Sequence, residues 1–238
     1  MSSPILLLRP LGGSTLSWGP FKDALDRRLR VITFDPPARA TTRAMAKDAI
    51  HVLDDLGIGR AHVFGISLGG MVATWLAIDH AARVDRLVLV STLPKGTMFR
   101  HDVALRALSI ARCLARPPAQ AEACLATRIL SNEFRRNHPK DVERIRKAAM
   151  ERPASHRALV TMLAAAARHD ATSRLQEITA PTLVIAGELD PIVTRHSQRI
   201  LTHVKHARFE LARGVGHDVS VEAPEWLAEQ VIRHVRET

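Results

Sequence analysis

Six short apolar runs, separated mostly by segments of helix length, constrain the fold more than any other feature of this sequence. They lie at Pro4–Leu8, Arg30–Phe34, Ala61–Gly65, Arg86–Val90, Pro181–Gly187 and Ala207–Leu211. Continuous apolar strands that alternate with amphipathic helices are typical of a parallel sheet buried on both faces, because each right-handed crossover lays a helix on one face. The sequence therefore predicts an α/β fold with a doubly wound, mostly parallel sheet of about six strands.

The connection between the fourth and fifth runs is much longer than the others and is interrupted mainly by prolines. It contains four predicted helices, at residues 102–115, 119–130, 140–151 and 155–168. We expect residues 95–170 to form an inserted helical cap, or lid. The core is then made of residues 1–94 and 171–238, which together are long enough to bury a sizeable interior.

A lone serine lies between glycines at the point where the third run gives way to a helix-forming segment. Gly65-Ile66-Ser67-Leu68-Gly69 fits the pattern G-x-S-x-G, and its place between a strand and a helix is the context of a nucleophile elbow. Such a sharp turn strains Ser67, and Gly65 and Gly69 remove bulk from the flanking positions. The pattern predicts that Ser67 presents its hydroxyl at the carboxyl edge of the sheet. A glycine-rich turn with an ordinary serine is the alternative.

Serine alone is a weak nucleophile, so an acid and then a histidine base are expected further along the chain. Asp190 follows the fifth run and His217 follows the sixth, which places both on loops at the same edge as Ser67. His217 is predicted to accept the serine proton, and Asp190 to orient the ring. Glu188 and Asp218 are competing acids. Glu188 lies nearer its strand, and Asp218 would have to fold back on the adjacent histidine.

Acyl transfer also needs backbone N–H donors for the negative oxygen of the tetrahedral intermediate. One donor is expected from Leu68, the residue after the serine. The other is expected from the loop after the first run, which reads Arg9-Pro10-Leu11-Gly12-Gly13. Proline has no N–H, so Leu11 is the predicted second donor. A plain glycine turn is the alternative here.

These segments together resemble the α/β-hydrolase superfamily, specifically its small, lid-bearing bacterial members such as 3-oxoadipate enol-lactonases and carboxylesterases. The likeness is most specific in MAKDAIHVLDDLGIGRAHVFGISLGGMVA, LQEITAPTLVIAGELDPIV and GVGHDVSVEAPEWL. It implies that Ser67, Asp190 and His217 are nucleophile, acid and base. It also implies that the amides of Leu11 and Leu68 form the oxyanion hole.

The chain departs from the pattern of that superfamily in three places. It lacks an extra β-hairpin at the start, so six strands are expected instead of eight. Arg9-Pro10 stands where many members have His-Gly, and the segment FDPPARATT stands where an Arg-Gly-x-Gly signature is usual. Because the loop after the second strand normally borders the active site, no relative's substrate can be assigned to this chain from the sequence.

The resemblance implies a serine hydrolase that cleaves a carboxylic ester or a lactone through an acyl-enzyme intermediate. A carbon–carbon bond hydrolase or an acyl thioesterase with the same triad is an alternative, and so is a non-catalytic ligand-binding protein on this fold. Serine at the elbow argues against haloalkane dehalogenase and epoxide hydrolase chemistry, for which the resemblance would imply aspartate. No cofactor and no metal are expected, and the expected partner is a small-molecule ester or lactone.

The formal net charge of +10 is concentrated in the lid region. Fifteen Lys or Arg and seven Asp or Glu lie from Lys95 to Asp170, which leaves +8 there. A solvated, arginine-rich helical surface is one interpretation. The other is that lid cations steer an anionic substrate or an acidic acyl carrier towards Ser67. The cations considered are Arg135, Arg136, Lys140, Arg144 and Lys147.

Other partners and the location are constrained by composition. No nucleic-acid module is present, and a chain without tyrosine has few rings for base stacking, so no nucleic-acid partner is expected. No apolar run could span a membrane and the chain does not open on a signal helix, so we expect a cytoplasmic protein. A homodimer stays open. Cys113 and Cys124 lie on separate helix-like stretches and are predicted to be buried free thiols rather than a disulfide.

Overall fold

The computed structural model describes residues 3–11, 18–96, 110–151, 153–190 and 197–237. Within them, six strands form one all-parallel sheet in the order β2-β1-β3-β4-β5-β6. The strands are β1 (Ile5–Leu8), β2 (Val31–Phe34), β3 (Ala61–Ile66), β4 (Val84–Val90), β5 (Thr182–Gly187) and β6 (Ala207–Ala212). The predicted doubly wound sheet is therefore confirmed, and each apolar run coincides with one strand.

Helices cover both faces of the sheet. Those of the sheet-forming part are α1 (Gly19–Asp26), α2 (Thr42–Asp55), α3 (Leu68–Asp79), α8 (Val219–Glu222) and α9 (Pro224–Arg236). Those between β4 and β5 are α4 (Pro118–Arg128), α5 (Asn132–Asn137), α6 (Pro139–Glu151) and α7 (His156–Ala167). Residues 110–114 are also helical. In the described part of the chain, no helix is long and apolar enough to cross a membrane.

Strand β1 shows why the apolar runs predicted this architecture. Its side chains point alternately into two cores: Leu6 and Leu8 pack in the layer that contains α2 and α3. Ile5 and Leu7 pack in the opposite layer, which contains α1 and α9. All four side chains are fully buried. A strand that is covered on both faces needs apolar residues at every position, which is the continuous pattern seen in the sequence.

The helices between β4 and β5 agree with the sequence except at one place. The segments predicted at 119–130, 140–151 and 155–168 correspond to α4, α6 and α7. The segment predicted at 102–115 is described only from residue 110. Helix α5 was not predicted; it lies between the segments predicted at 119–130 and 140–151 and is only six residues long. Ser131 begins this helix, and its hydroxyl accepts a hydrogen bond from the Phe134 N–H at 3.1 Å.

The two ends of the insertion between β4 and β5 contact each other, and we call this pair of ends the neck. Lys95 and Asp170 form an isolated antiparallel bridge, and the Gly96 N–H donates to the His169 carbonyl at 2.8 Å. This neck coincides with the boundaries expected for the lid at residues 95 and 170. The division into a core and a lid stays a prediction.

The prediction of free thiols was wrong. Cys113 and Cys124 form a disulfide, with their Cα atoms 5.5 Å apart. The chain turns between the helical residues 110–114 and α4, and the disulfide joins the two helical segments across this turn. The break between the helices predicted at 102–115 and 119–130 lies at this turn, but neither periodicity nor spacing predicts that Cys113 and Cys124 meet across it. Disulfides are rare in cytoplasmic proteins, and the cytoplasmic location stays a prediction.

Candidate active site

Ser67 occupies a strained turn between β3 and α3. Its backbone has φ 54° and ψ −116°, a region that residues other than glycine rarely adopt. Two hydrogen bonds hold the turn in place: the Ser67 N–H donates to the Val90 carbonyl at 2.9 Å, and the Thr92 hydroxyl donates to the Ser67 carbonyl at 2.8 Å. The neighbouring strand β4 thus supports the strained conformation that the sequence pattern predicts.

The two glycines of the motif allow the turn to pack against its surroundings. A Cβ atom at Gly65 would lie 2.3 Å from the carbonyl oxygen of Gly69. One at Gly69 would lie 2.0 Å from the carbonyl oxygen of Leu8, at the end of β1. Both distances are far below a normal van der Waals contact, so a side chain at Gly65 would push β3 away from α3, and one at Gly69 would push the elbow away from the end of β1.

Ser67, His217 and Asp190 are brought together in a hydrogen-bonded line. The Oγ atom of Ser67 lies 2.9 Å from His217 Nε2, and His217 Nδ1 lies 2.8 Å from Asp190 Oδ2. His217 is 3% exposed and Asp190 is 6% exposed, so the line is largely shielded from water. When Nδ1 donates to the carboxylate, Nε2 is left as an acceptor for the serine proton, which is the tautomer that a general base requires.

The two competing acids have other partners. The Glu188 carboxylate accepts a hydrogen bond from the Gly214 N–H at 2.8 Å. The Asp218 carboxylate accepts one from the Ser220 hydroxyl at 2.6 Å, and burial raises the pKa of Asp218. Of the three acids considered from the sequence, Asp190 is therefore the one that hydrogen bonds to the His217 ring.

The predicted oxyanion donors lie on the two segments that meet at the elbow. Leu68 is the first residue of α3. The N–H groups in the first turn of a helix have no acceptor within the helix, and they project from its N-terminus, which is the positive end of the helix dipole. Leu11 lies on the loop after β1 and is partly buried against the core. The carbonyl oxygens of Leu8 and Arg9 border Gly69, so this loop packs directly on the elbow. Gly12 and Gly13 lie outside the described residues.

Two features near the loop after β1 were not predicted from the sequence: a partly exposed ion pair between Arg9 and Asp35 and a buried carboxylate at Glu122. Arg9 Nε lies 2.6 Å from Asp35 Oδ1, so two positions at which the chain departs from the α/β-hydrolase pattern contact each other. Glu122 of α4 is 1% exposed and accepts a hydrogen bond from the Ala154 N–H. Burial raises the pKa of Glu122, whereas that hydrogen bond and the charge of Arg9 lower it. A lone acid in the alanine-rich segment PAQAEACLA was the available signal.

Across the described ranges, no group of three or more His, Cys, Asp or Glu side chains is arranged to hold a metal ion.

Comparisons with known proteins place these features in context. A family model described as "Alpha/beta hydrolase family" matches residues 5–230. The chain is 30% identical to "Putative carbamate hydrolase RutD" of Caulobacter vibrioides over 243 residues, which covers 96% of this chain and 88% of that protein. It is 29% identical to 3-oxoadipate enol-lactonase 1 of Acinetobacter baylyi, over 93% of this chain and 84% of that protein.

A solved structure agrees with the fold. The enol-lactonase from Burkholderia xenovorans LB400 superposes with a TM-score of 0.86, covering 100% of this chain and 92% of that one. The two sequences are 21% identical. This likeness supports the architecture and the path of the chain through it.

Proposed function

The chain belongs to the alpha/beta hydrolase family, and on that basis we propose that it hydrolyses a carboxylic ester or a lactone through an acyl-enzyme formed on Ser67. In this proposal His217 is the general base and acid, and Asp190 orients it. The backbone N–H groups of Leu11 and Leu68 form the oxyanion hole.

One observation carries the proposal. Ser67 has a strained backbone, its Oγ atom lies 2.9 Å from Nε2 of His217, and Nδ1 of the same ring lies 2.8 Å from the buried Asp190 carboxylate. Strain of this kind persists only where the surrounding structure holds it, and it is concentrated at functional sites. A glycine-rich turn with an ordinary serine would need neither the strain nor the buried histidine. A catalytically silent ligand-binding protein would not need the Asp190 carboxylate on the far side of the ring.

The acylation step follows from this geometry. Ser67 Oγ attacks the carbonyl carbon of the substrate while His217 Nε2 takes the hydroxyl proton. The carbonyl oxygen becomes negative and is bound by the two backbone N–H groups. The intermediate collapses when His217 gives its proton to the departing oxygen, which leaves as an alcohol and leaves the acyl group on Ser67. In a lactone, the alcohol stays attached to the acyl group.

Deacylation repeats these steps with water. His217 takes a proton from a water molecule, whose oxygen attacks the acyl carbon. The second tetrahedral intermediate collapses when His217 returns the proton to Ser67 Oγ, and a carboxylic acid is released. Asp190 stays ionised throughout and stabilises the imidazolium that forms twice in each cycle.

We assign to the insertion, residues 95–170, the role of a lid that closes over a small-molecule substrate. The substrate class rests on likeness: one relative is named for an enol-lactone and another for a carbamate. A carbamate is a second candidate substrate, because its carbonyl carbon can be attacked by the same serine.

An activity-based probe tests the proposal. A fluorophosphonate reacts covalently with an activated serine, so the wild-type chain should be labelled at Ser67, and Ser67→Ala should not be labelled. Ser173→Ala is the matched control, since Ser173 is exposed on a short 3-10 helix (Thr172–Glu177) and the loss of its hydroxyl should leave labelling unchanged. Wild-type protein that is folded but unlabelled would contradict the assignment of Ser67 as a nucleophile.

A substrate panel then separates the remaining alternatives. The panel compares kcat/KM at one pH. It contains esters of increasing acyl length, aryl esters, lactones, thioesters, carbamates and a substrate in which a carbon–carbon bond next to a carbonyl group would be cleaved. The proposal predicts the highest kcat/KM for an ester or lactone. A higher kcat/KM for the thioester or for the carbon–carbon substrate would replace the ester assignment with that chemistry.

A further inference from the structure

The carboxylate of Glu222 joins two chain segments that are distant in sequence. Its Oε1 accepts a hydrogen bond from the Ser131 N–H at 2.7 Å, and its Oε2 accepts one from the Ser131 hydroxyl at 2.6 Å. The Oε2 atom also accepts a hydrogen bond from the Gly216 N–H at 3.0 Å. Ser131 belongs to the insertion, at the start of α5, whereas Gly216 directly precedes His217. A single half-buried carboxylate therefore holds the insertion and the histidine loop together.

Two further contacts join the insertion to the segment around His217 and Glu222. The His217 N–H donates to the carbonyl of Ile129, in the insertion, at 3.2 Å. Val221, the neighbour of Glu222, is buried in an apolar cluster with Leu130 and Phe134 of the insertion. Residues 129–131 thus hydrogen bond to the backbone at 217 directly and to that at 216 through Glu222. The backbone position of His217 is set partly by the insertion and only partly by the sheet.

We propose that Glu222 is a positioning residue that places His217 for proton transfer with Ser67 and couples that placement to the seating of the lid. The inference rests on the proposed function, since it assigns Glu222 a role only if His217 is the general base. Hydrogen bonds to an ionised carboxylate are shorter and stronger than neutral ones. Misplacing a reacting group by about 1 Å can reduce the rate about 100-fold. Because the backbone at His217 contacts both the insertion and the sheet-forming part, the hydrogen bonds of Glu222 that join them should keep the ring in place.

The donors around Glu222 make Glu222→Gln an informative variant. Three donors surround the carboxylate: the Ser131 N–H, the Ser131 hydroxyl and the Gly216 N–H. Glutamine offers one acceptor oxygen and one N–H₂ donor in their place. The Ser131 hydroxyl can rotate to accept, but a backbone N–H cannot. Whichever way the amide is turned, either Ser131 N–H or Gly216 N–H loses its acceptor.

The experiment measures kcat, KM and the pH dependence of kcat/KM for the wild type and four variants, on the best substrate of the panel. Active sites are counted by fluorophosphonate titration, and folding is followed by circular dichroism and by thermal unfolding. Glu222→Gln should lower kcat per active site between about tenfold and 100-fold, with a smaller change in KM. It should also shift the acidic limb of the pH profile, because His217 is then held less well between Ser67 and Asp190.

The other variants separate positioning from simple stabilisation. Ser131→Ala removes one of the three donors and should lower kcat by less than Glu222→Gln does, whereas Ser131→Thr keeps the hydroxyl and should restore kcat. Glu225→Gln is the matched control, because it makes the same change of charge on an exposed side chain three residues away. Its kcat and pH profile should equal those of the wild type.

Two results would overturn the inference. One is a folded Glu222→Gln protein with wild-type kcat and pH profile, even if its thermal stability is lower, since Glu222 would then only stabilise the fold. If Glu222→Gln does not fold, an unchanged kcat and pH profile in Ser131→Ala has the same consequence. A wild-type chain that neither labels nor hydrolyses would instead contradict the proposed function itself, so the two failures are distinguishable.

Discussion

Ser67 and His217 are 150 residues apart in the sequence, yet Ser67 Oγ and His217 Nε2 lie 2.9 Å apart. The sheet order explains the approach. Ser67 follows β3, and the His217 loop follows β6, which is joined to β3 through β4 and β5. All these strands are parallel, so their carboxyl ends share one edge of the sheet, and the loop after β6 reaches back along that edge. This contact is the one on which the proposed chemistry depends.

Ser67→Ala is expected to reduce kcat/KM by about 10⁴-fold or more, because the lost oxygen forms the covalent bond to the substrate. The fold should be kept, since alanine differs from serine only by the hydroxyl and the glycines on either side are unchanged. Steady-state kinetics with a thermal melt of each protein checks both statements. A folded Ser67→Ala protein that retains a tenth of the wild-type activity would contradict a serine nucleophile.

Asp190→Asn should reduce kcat by roughly 10²- to 10⁴-fold. The asparagine amide can donate to His217 Nδ1, which moves the ring proton to Nε2 and removes the acceptor that Ser67 needs. Glu188→Gln is the matched comparison, because its amide oxygen can still accept the Gly214 N–H, and its kcat should stay within about threefold of the wild type. Equal losses in the two variants would argue against Asp190 as the orienting acid.

Two buried histidines should make the protein less stable in mild acid. Burial lowers the pKa of His169 and of His234 to about 4 each. In the unfolded chain a histidine has a pKa of about 6.5, so between about pH 6.5 and pH 4 the unfolded state binds protons that the folded state does not. The free energy of unfolding therefore falls as the pH drops through this window, by about 2 kcal/mol for one such group between pH 7 and pH 5.

Urea unfolding at pH 7 and pH 5 measures this loss. In His169→Gln the difference between the two pH values should be smaller than in the wild type, although the variant also loses the hydrogen-bonding contact between the His169 ring and the Thr42 hydroxyl. His51→Gln is the control, because His51 is exposed, and it should keep the wild-type difference. Identical pH differences in all three proteins would exclude His169 as a source of the acid sensitivity.

If the basic surface of the insertion steers anionic substrates towards Ser67, it should raise kcat/KM for an anionic ester and leave kcat/KM for a neutral ester unchanged. Arg135, Arg136, Lys140 and Lys147 are exposed and Arg144 is partly so. Lys140, Arg144 and Lys147 line an open groove on α6 beside Gly19. Surface attraction decays over a Debye length of about 8 Å at physiological salt. The kcat/KM for an anionic ester should therefore fall as ionic strength rises, while that for a neutral ester with the same acyl group stays constant.

If kcat/KM for the two esters changes equally with ionic strength, the basic surface does not steer the substrate and contributes only to solubility. An acidic acyl carrier as the substrate donor is tested in the same way, with the carrier-bound thioester replacing the anionic ester. Replacing Lys140 and Lys147 by glutamine should weaken the salt dependence if the groove contributes. Glutamine at Lys205, an exposed position on the loop before β6, is the comparison for a general loss of positive charge.

Much of the fold was predictable because it depends on local patterns. A doubly covered parallel strand needs apolar side chains at each position, and β1 and β5 are buried along their whole length. The elbow was predictable for a similar reason, since close backbone approach at Gly65 and Gly69 permits no side chain. Helix α5 was not predictable from periodicity, because it is short and its start depends on a cap at Ser131.

The sequence by itself determined the order of strands and helices, the strained turn at Ser67 and the placing of Asp190 and His217 after strands, because these follow from periodicity, chain order and steric limits on single residues. Tertiary structure alone decided which groups meet. It paired Cys113 with Cys124 and Arg9 with Asp35, and it linked Glu222 to Ser131. Such contacts depend on how helices and loops pack across tens of residues, and no local pattern along the chain records that packing.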